Sequence, residues 1–155
     1  SSSHAPAIDS TRGSIYTRDG IITHSPQSDH ASMKGDSSNR LLKLGKENFA
    51  AQNYGLSERY FREAVANRSD NISAWAGLAA SYDQLGNFEK ADRAYKALVD
   101  LKGNDPRVLN NLGYSHLLRG NYKKAREYFN KAQQKNPGLD HVQGNLHLLE
   151  KVMAG

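Results

Sequence analysis

The sequence predicts an all-α protein, a solenoid of three helix pairs closed by a C-terminal capping helix. Three observations carry that prediction. The stretch around residues 110–137 holds two apolar stripes at helical spacing. Leu109, Leu112, Leu117 and Leu118 precede a break at Arg119-Gly120-Asn121, and Tyr122, Ala125, Tyr128, Phe129 and Ala132 follow it. The landmarks of this unit recur twice upstream at a spacing of 34 residues. A last amphipathic stretch, 140–153, follows Pro137.

Residues 1–37 read as a flexible polar arm. Ser, Thr, Asp, Gly, Pro and His dominate, and only Ile8, Ile15, Tyr16, Ile21, Ile22 and Met33 could bury much surface. Burial of so little apolar surface does not offset the entropy of ordering. One local signal interrupts the arm: Ile15-Tyr16-Thr17 and Ile21-Ile22-Thr23 flank Arg18-Asp19-Gly20, a turn sequence that favours a hairpin. A lone hairpin is marginal in water, so an ordered one must lean on the repeats or on a partner.

The repeat domain is expected over 38–155. The first repeat, 38–71, opens at Ser38 as a helix cap, with Leu41, Leu44 and Phe49 lining its first helix and Phe61, Ala64 and Val65 its second. In the second, 72–105, Trp75, Leu78 and Tyr82 face Phe88, Ala91 and Tyr95. The third, 106–139, turns at Gly120, a residue suited to the left-handed end of a helix. Across the three, Leu44-Gly45, Leu78-Ala79 and Leu112-Gly113 align, as do Phe61, Tyr95 and Phe129, and Ala64, Leu98 and Ala132. Gln52-Asn53-Tyr54 stands loosely where Gly86-Asn87-Phe88 and Gly120-Asn121-Tyr122 stand later. Each pair leaves an apolar flank that only a neighbouring copy covers. The last flank needs a cap, and Val142, Leu146, Leu149 and Met153 fall on one face of 140–153.

This pattern resembles the tetratricopeptide repeat (TPR) family. The middle copy has Trp75, Leu78-Ala79, Tyr82, Ala91 and Tyr95 at the family's spacing; the third has Leu112-Gly113, Ala125, Phe129 and Pro137 but His116 in place of Tyr. The first is the most divergent, with Leu41 for Trp, Asn48 for Tyr and Ser69 for Pro. The resemblance implies a right-handed superhelix whose concave groove is lined by the first helix of each pair. Carried over residue by residue, it places Lys46 and Phe49 from the first repeat in that groove. Ala76, Gly77 and Ala80 follow from the second, Arg107, Asn110, Asn111 and Tyr114 from the third, and Asn145 from the capping helix. Asp83 and Gln84 fall on groove positions too. The small residues Ala76, Gly77 and Ala80 imply a hollow for an apolar anchor, between larger groups on either side. Asn111 and Asn145 share one repeat position, like the asparagine ladder of O-GlcNAc transferase. Some relatives clamp the C-terminal carboxylate of heat-shock chaperones; Lys46 and Arg107 match that clamp, but Gly77 stands where it needs Asn and Asn111 where it needs Arg, which argues against it here.

Composition narrows the function. The chain has 155 residues, no Cys and a net charge of +5, so disulfides and thiolate metal sites are excluded. No apolar run is long enough for a transmembrane helix. The third repeat holds seven basic residues and one acidic residue, so the basicity belongs to one repeat. Lys123, Lys124, Lys131 and Lys135 would offer an anionic surface a contact; nucleic acid is not expected, because no aromatic and Arg residues interleave there. No phosphate-binding loop, nucleophile motif or His-Glu metal motif is present, and the six His are scattered. His116 reads as a satisfied core or rim residue. No metal and no cofactor are expected, and the chain reads as a non-enzyme.

The expected function is a protein-interaction adaptor, monomeric, that takes a partner peptide or helix in the groove. The alternative is a structural scaffold that self-associates through its repeats. In layout, a Ser-rich tether before repeats and cap, the chain is similar to the TPR lipoproteins of bacterial tight-adherence pilus systems. Those act as assembly factors for an outer-membrane secretin, so a periplasmic or membrane-anchored place is favoured over the cytoplasm.

Overall fold

The computed structural model describes residues 33–155 as seven helices and, among these residues, no strand. They are α1 (Met33–Ala50), α2 (Tyr54–Asn67), α3 (Ile72–Gln84), α4 (Phe88–Lys102), α5 (Pro106–Leu118), α6 (Tyr122–Lys135) and α7 (Asp140–Ala154). Successive helices pack antiparallel in pairs α1–α2, α3–α4 and α5–α6, and α7 closes the stack. The first helices of the pairs also touch one another, α1 to α3, α3 to α5 and α5 to α7, so they form one layer and α2, α4 and α6 the other. The hairpin signal at 15–23 and most of the expected arm lie outside the described residues.

The first helix starts earlier than expected. Ser38 lies inside α1 instead of capping it, because the helix takes in 33–37. Its hydroxyl, fully buried, donates to the Ala64 carbonyl at 2.7 Å and accepts from Asn71 Nδ2 at 2.8 Å, tying α1 to both α2 and the start of α3. Asn71 in turn caps α3 by accepting from the Ala74 N–H. Leu44 is 39 % exposed, against 5 % for its counterpart Leu78. A first repeat has no described pair ahead of it, so this flank stays wet.

One aromatic position organises the stacking. Phe61 is fully buried, and a Cβ on Gly45 of its own pair or on Gly77 of the next would lie 2.6 and 2.5 Å from its ring. Phe61 therefore sits between two glycines that let α2 approach α1 and α3 closely. At the next pair Tyr95 replaces Phe61 and Asn111 replaces Gly77. The phenol needs a partner when buried, and it donates to Asp83 Oδ2 at 2.7 Å and to the Asn111 carbonyl at 3.2 Å. The larger, polar pair loosens this junction: α4 packs lightly on α5, whereas α2 packs tightly on α3. The buried apolar residues accordingly form two clusters, one from Leu42 to Val108 and one from Leu109 to Leu149.

The pair-internal turns repeat a left-handed residue at the same position: Gly86 has φ 73°, Gly120 φ 82°, and Gln52 φ 64° without the freedom of glycine. Trp75 is partly buried against the core, and its Nε1 donates to the Ser69 carbonyl at 2.7 Å. In α7 the buried face is Val142, Asn145 and Leu149, each 2 % exposed or less. Leu146 is half-buried and Met153 is 47 % exposed, so the cap turns its seam about one residue away from the expected one. Asn145 explains the difference: it enters the seam to meet Asn110, its Nδ2 donating to Asn110 Oδ1 at 2.8 Å.

Candidate functional site: the cleft between the first helices

Side chains of α1, α3, α4 and α5 meet around a narrow cleft of roughly 200 Å³, too tight for a water-sized sphere. Phe49 comes from α1, Ala80, Asp83 and Gln84 from α3, Tyr95 from α4, and Asn111 and Tyr114 from α5. The helical phase explains the set: Ala80, Asp83 and Gln84 are one turn apart on α3, and Asn111 and Tyr114 one turn apart on α5.

The structure brings together six of the residues expected on groove positions, Phe49, Ala80, Asp83, Gln84, Asn111 and Tyr114. It corrects the hollow expected at Ala76, Gly77 and Ala80. Gly77 points at the Phe61 ring, not into the groove, and Ala76 has no exposed surface. Ala80 alone reaches the cleft, and Phe49, Tyr95 and Tyr114 crowd the space above it. The expected two-rung ladder of Asn111 and Asn145 is also revised, since Asn145 pairs with Asn110. Lys46 and Arg107 stay half-exposed, outside the residues that line the cleft. Burial lowers the pKa of Lys46.

Tyr95 was not expected here. It belongs to a second helix, and its apolar counterparts Phe61 and Phe129 read as core. The signal that could have found it is the hydroxyl itself, a polar atom at a position otherwise held by Phe.

A buried polar chain runs from the cleft to the surface. Asp83 accepts from Tyr95 at 2.7 Å and from Ser115 Oγ at 2.6 Å. Ser115 Oγ also accepts from Arg119, whose guanidinium binds Asp92 through both oxygens at 2.8 and 3.1 Å. Burial pushes the Asp83 pKa up to about 7, against the opposing pull of the Ser115 and Tyr95 hydrogen bonds and of Arg119. The Arg119 hydrogen bond holds Asp92 below the usual carboxylate range. His116 stacks on Tyr128 with ring centres 5.5 Å apart; burial, then Arg119 and Lys124, push its pKa down to about 4. These groups are held by one another. Among the described residues no three His, Asp or Glu side chains converge as a metal site would require, and no helix is long and apolar enough to cross a membrane.

The outer face differs in charge from its neighbours. On α2 and α4, Arg59–Glu63, Arg62–Glu58 and Lys96–Asp100 pair at one-turn spacing. On α6 none of Lys123, Lys124, Lys131 and Lys135 forms an ion pair. Lys123 and Lys124 border an open depression at the α5–α6 turn with Tyr122 and Glu127, and Lys131 lies 6.0 Å from the Tyr128 ring centre.

Comparison with known proteins gives this arrangement a context. The profile of the family described as tetratricopeptide repeat matches residues 42–106 and 77–140. The peroxisomal targeting signal receptor of Eremothecium gossypii is 32 % identical over 87 residues, 56 % of this chain; the chain spans 15 % of that relative's length. Among solved structures, the Arabidopsis OM64 TPR domain matches 75 % of this chain and 96 % of its own at 16 % identity, with a TM-score of 0.65. The Sgt2 TPR domain from Aspergillus fumigatus matches 76 % and 79 % at 21 % identity, TM-score 0.64. The first TPR of Spaghetti (RPAP3), bound to the HSP90 peptide SRMEEVD, matches 77 % and 95 % at 14 % identity, TM-score 0.65. At these identities the likeness is one of fold.

Proposed function

The chain belongs to the tetratricopeptide repeat family, and from that premise we propose that it is a non-enzymatic adaptor whose first-helix layer takes a peptide or helix of a partner protein. The observation that carries this reading is the cleft at Ala80. It has aromatic walls, Phe49 and Tyr114, a carboxamide in Asn111, and Lys46 and Arg107 half-exposed outside it. An apolar site with a few polar groups is the make-up of a recognition site. The solved TPR of Spaghetti with its bound peptide supports a peptide as the kind of partner, but Gly77 and Asn111 stand where a chaperone clamp needs Asn and Arg. SRMEEVD peptide titrated onto this chain is therefore expected to give no saturable shift.

The test is chemical cross-linking in the native host with three variants. Ala80→Trp fills the cleft, and Lys46→Glu with Arg107→Glu reverses its rim without touching the core. Both are expected to lose the cross-linked partner. Lys124→Glu with Lys131→Glu and Lys135→Glu is expected to keep it; the reverse result moves the site to the basic face and its anionic contact. A finer reading, an assembly factor of a bacterial envelope secretion or pilus system, rests on layout and predicts that the partner is a secretin component. The second reading, a self-associating scaffold, is favoured by Leu44 and Leu56, 39 % and 46 % exposed in the first pair. Light scattering separates the two: a constant monomer mass supports the adaptor, and mass rising with concentration supports the scaffold.

A further inference from the structure

The side chains on the groove side of the array are buried. Phe49, Asn110, Asn111, Tyr114 and Asn145 expose between 1 % and 3 % of their surface. All five belong to the first-helix layer, and α2, α4 and α6 pack behind that layer, not over it. A groove open to a partner leaves such side chains to water, yet each of the five is engaged in polar or ring contacts. We propose that the chain's own segment 15–22 occupies this groove, so that a partner must displace an intramolecular occupant. The proposal rests on the groove reading above and adds a regulation to it.

Length and composition support the assignment. The chain ahead of the described residues is 32 residues long and ends at the start of α1, at the edge of the first-helix layer. Residue 22 is 11 residues from Met33, a reach of about 36 Å at ~3.3 Å per extended residue. Phe49 stands about 24 Å along α1 from Met33 at ~1.5 Å per helical residue, and crossing over α3 to α5 adds about 20 Å sideways at ~10 Å between helix axes, a path of about 31 Å. The segment carries Ile15, Tyr16, Ile21 and Ile22, the densest apolar group ahead of α1. Ile and Tyr side chains suit the walls at Phe49 and Tyr114, and the Asn111 carboxamide suits an extended backbone, which offers both donors and acceptors. Tethering over so few residues gives an effective concentration of order millimolar, enough to hold off a weak free ligand.

The full chain has no cysteine, so Arg18→Cys accepts a single nitroxide label. In the labelled protein the amides of Ala80, Asn111 and Tyr114 should lose most of their NMR intensity, while those of Lys96 and Lys131 on the opposite layer keep theirs. Adding Ile15→Asp and Ile21→Asp to the labelled chain should restore the groove signals. Intact groove amides in the first sample, loss on the opposite layer, or no recovery in the triple variant would each overturn the proposal. Mixing isotope-labelled protein without the nitroxide with unlabelled nitroxide-bearing protein should change nothing; intensity loss there assigns the groove to a second copy and overturns occupancy in cis. Failure of the adaptor reading is separate. If Ile15→Asp with Ile21→Asp frees the groove but still captures no partner, the occupancy stands and the adaptor function does not.

Discussion

Two helical glycines should respond oppositely to the same added methyl group. Gly144 in α7 is exposed, with nothing within 4 Å of where a Cβ would stand. Gly144→Ala is expected to stabilise by up to about 1 kcal/mol, the helix-propensity difference. Gly77 gains the same term in α3, but its Cβ would lie 2.5 Å from the Phe61 ring, and Gly45 blocks that ring from the other side. Overpacking costs about 1–3 kcal/mol, so Gly77→Ala is expected to lower the melting temperature while Gly144→Ala raises it. A rise in both would mean that the Phe61 ring moves freely. The sequence identified Gly77 as a residue that makes room. It did not reveal for which face, because a single repeat position does not say whether the missing Cβ points to the groove or to the preceding pair. Pairing Gly77 with Phe61 would have required knowing the stacking geometry first.

At the scale of elements, the junction between α3–α4 and α5–α6 is a polar seam in an apolar stack. Asp83, Tyr95 and Ser115 fill it, and Arg119 and Asp92 carry it outward. Asp83 in the seam and His116, next to Ser115 on α5, oppose each other in pH. Asp83 has a folded pKa of about 7 against an ordinary 3.8, so the folded state holds its proton longer; its contribution is complete below pH ~4 and is lost as pH rises through 7. His116, pushed down to about 4 from 6.5, contributes above 6.5 and loses that contribution as pH falls towards 4. Between about pH 4 and 6.5 the two slopes cancel, each at most ~1.4 kcal/mol per pH unit for one proton. Asp83→Asn should therefore leave stability rising with pH across that window, and His116→Phe should leave it falling. Urea denaturation at half-unit pH steps checks both; parallel profiles in the two variants would sink the assignment. The sequence placed His116 in the core or at its rim and Asp83 on a groove position, but it did not reveal the partners that perturb them. Asp83 and Ser115 are 32 residues apart, on helices that meet only after the repeats stack.

For the whole molecule, the helix pairs, their order and the cap were legible because each follows from local period and from landmarks spaced one repeat apart. The division of the stack into two apolar clusters was not, since it depends on which side chains face each other across a junction. That division changes what loss of the cap should do. Leu149 is fully buried in the second cluster with Leu109, Phe129 and Val142. Leu149→Ala is expected to cost about 2–5 kcal/mol, the range for emptying a buried Leu site. In a one-dimensional stack such damage passes between neighbours, and here the light α4–α5 packing interrupts the path. Amide exchange in the variant should rise across α5, α6 and α7 and stay near wild type in α1 to α3, whose core is the separate cluster around Phe61 and Leu98. Loss of protection spread evenly over all seven helices would show that the Tyr95–Asp83 seam couples the clusters as firmly as the Phe61–Gly77 contact couples the first two pairs.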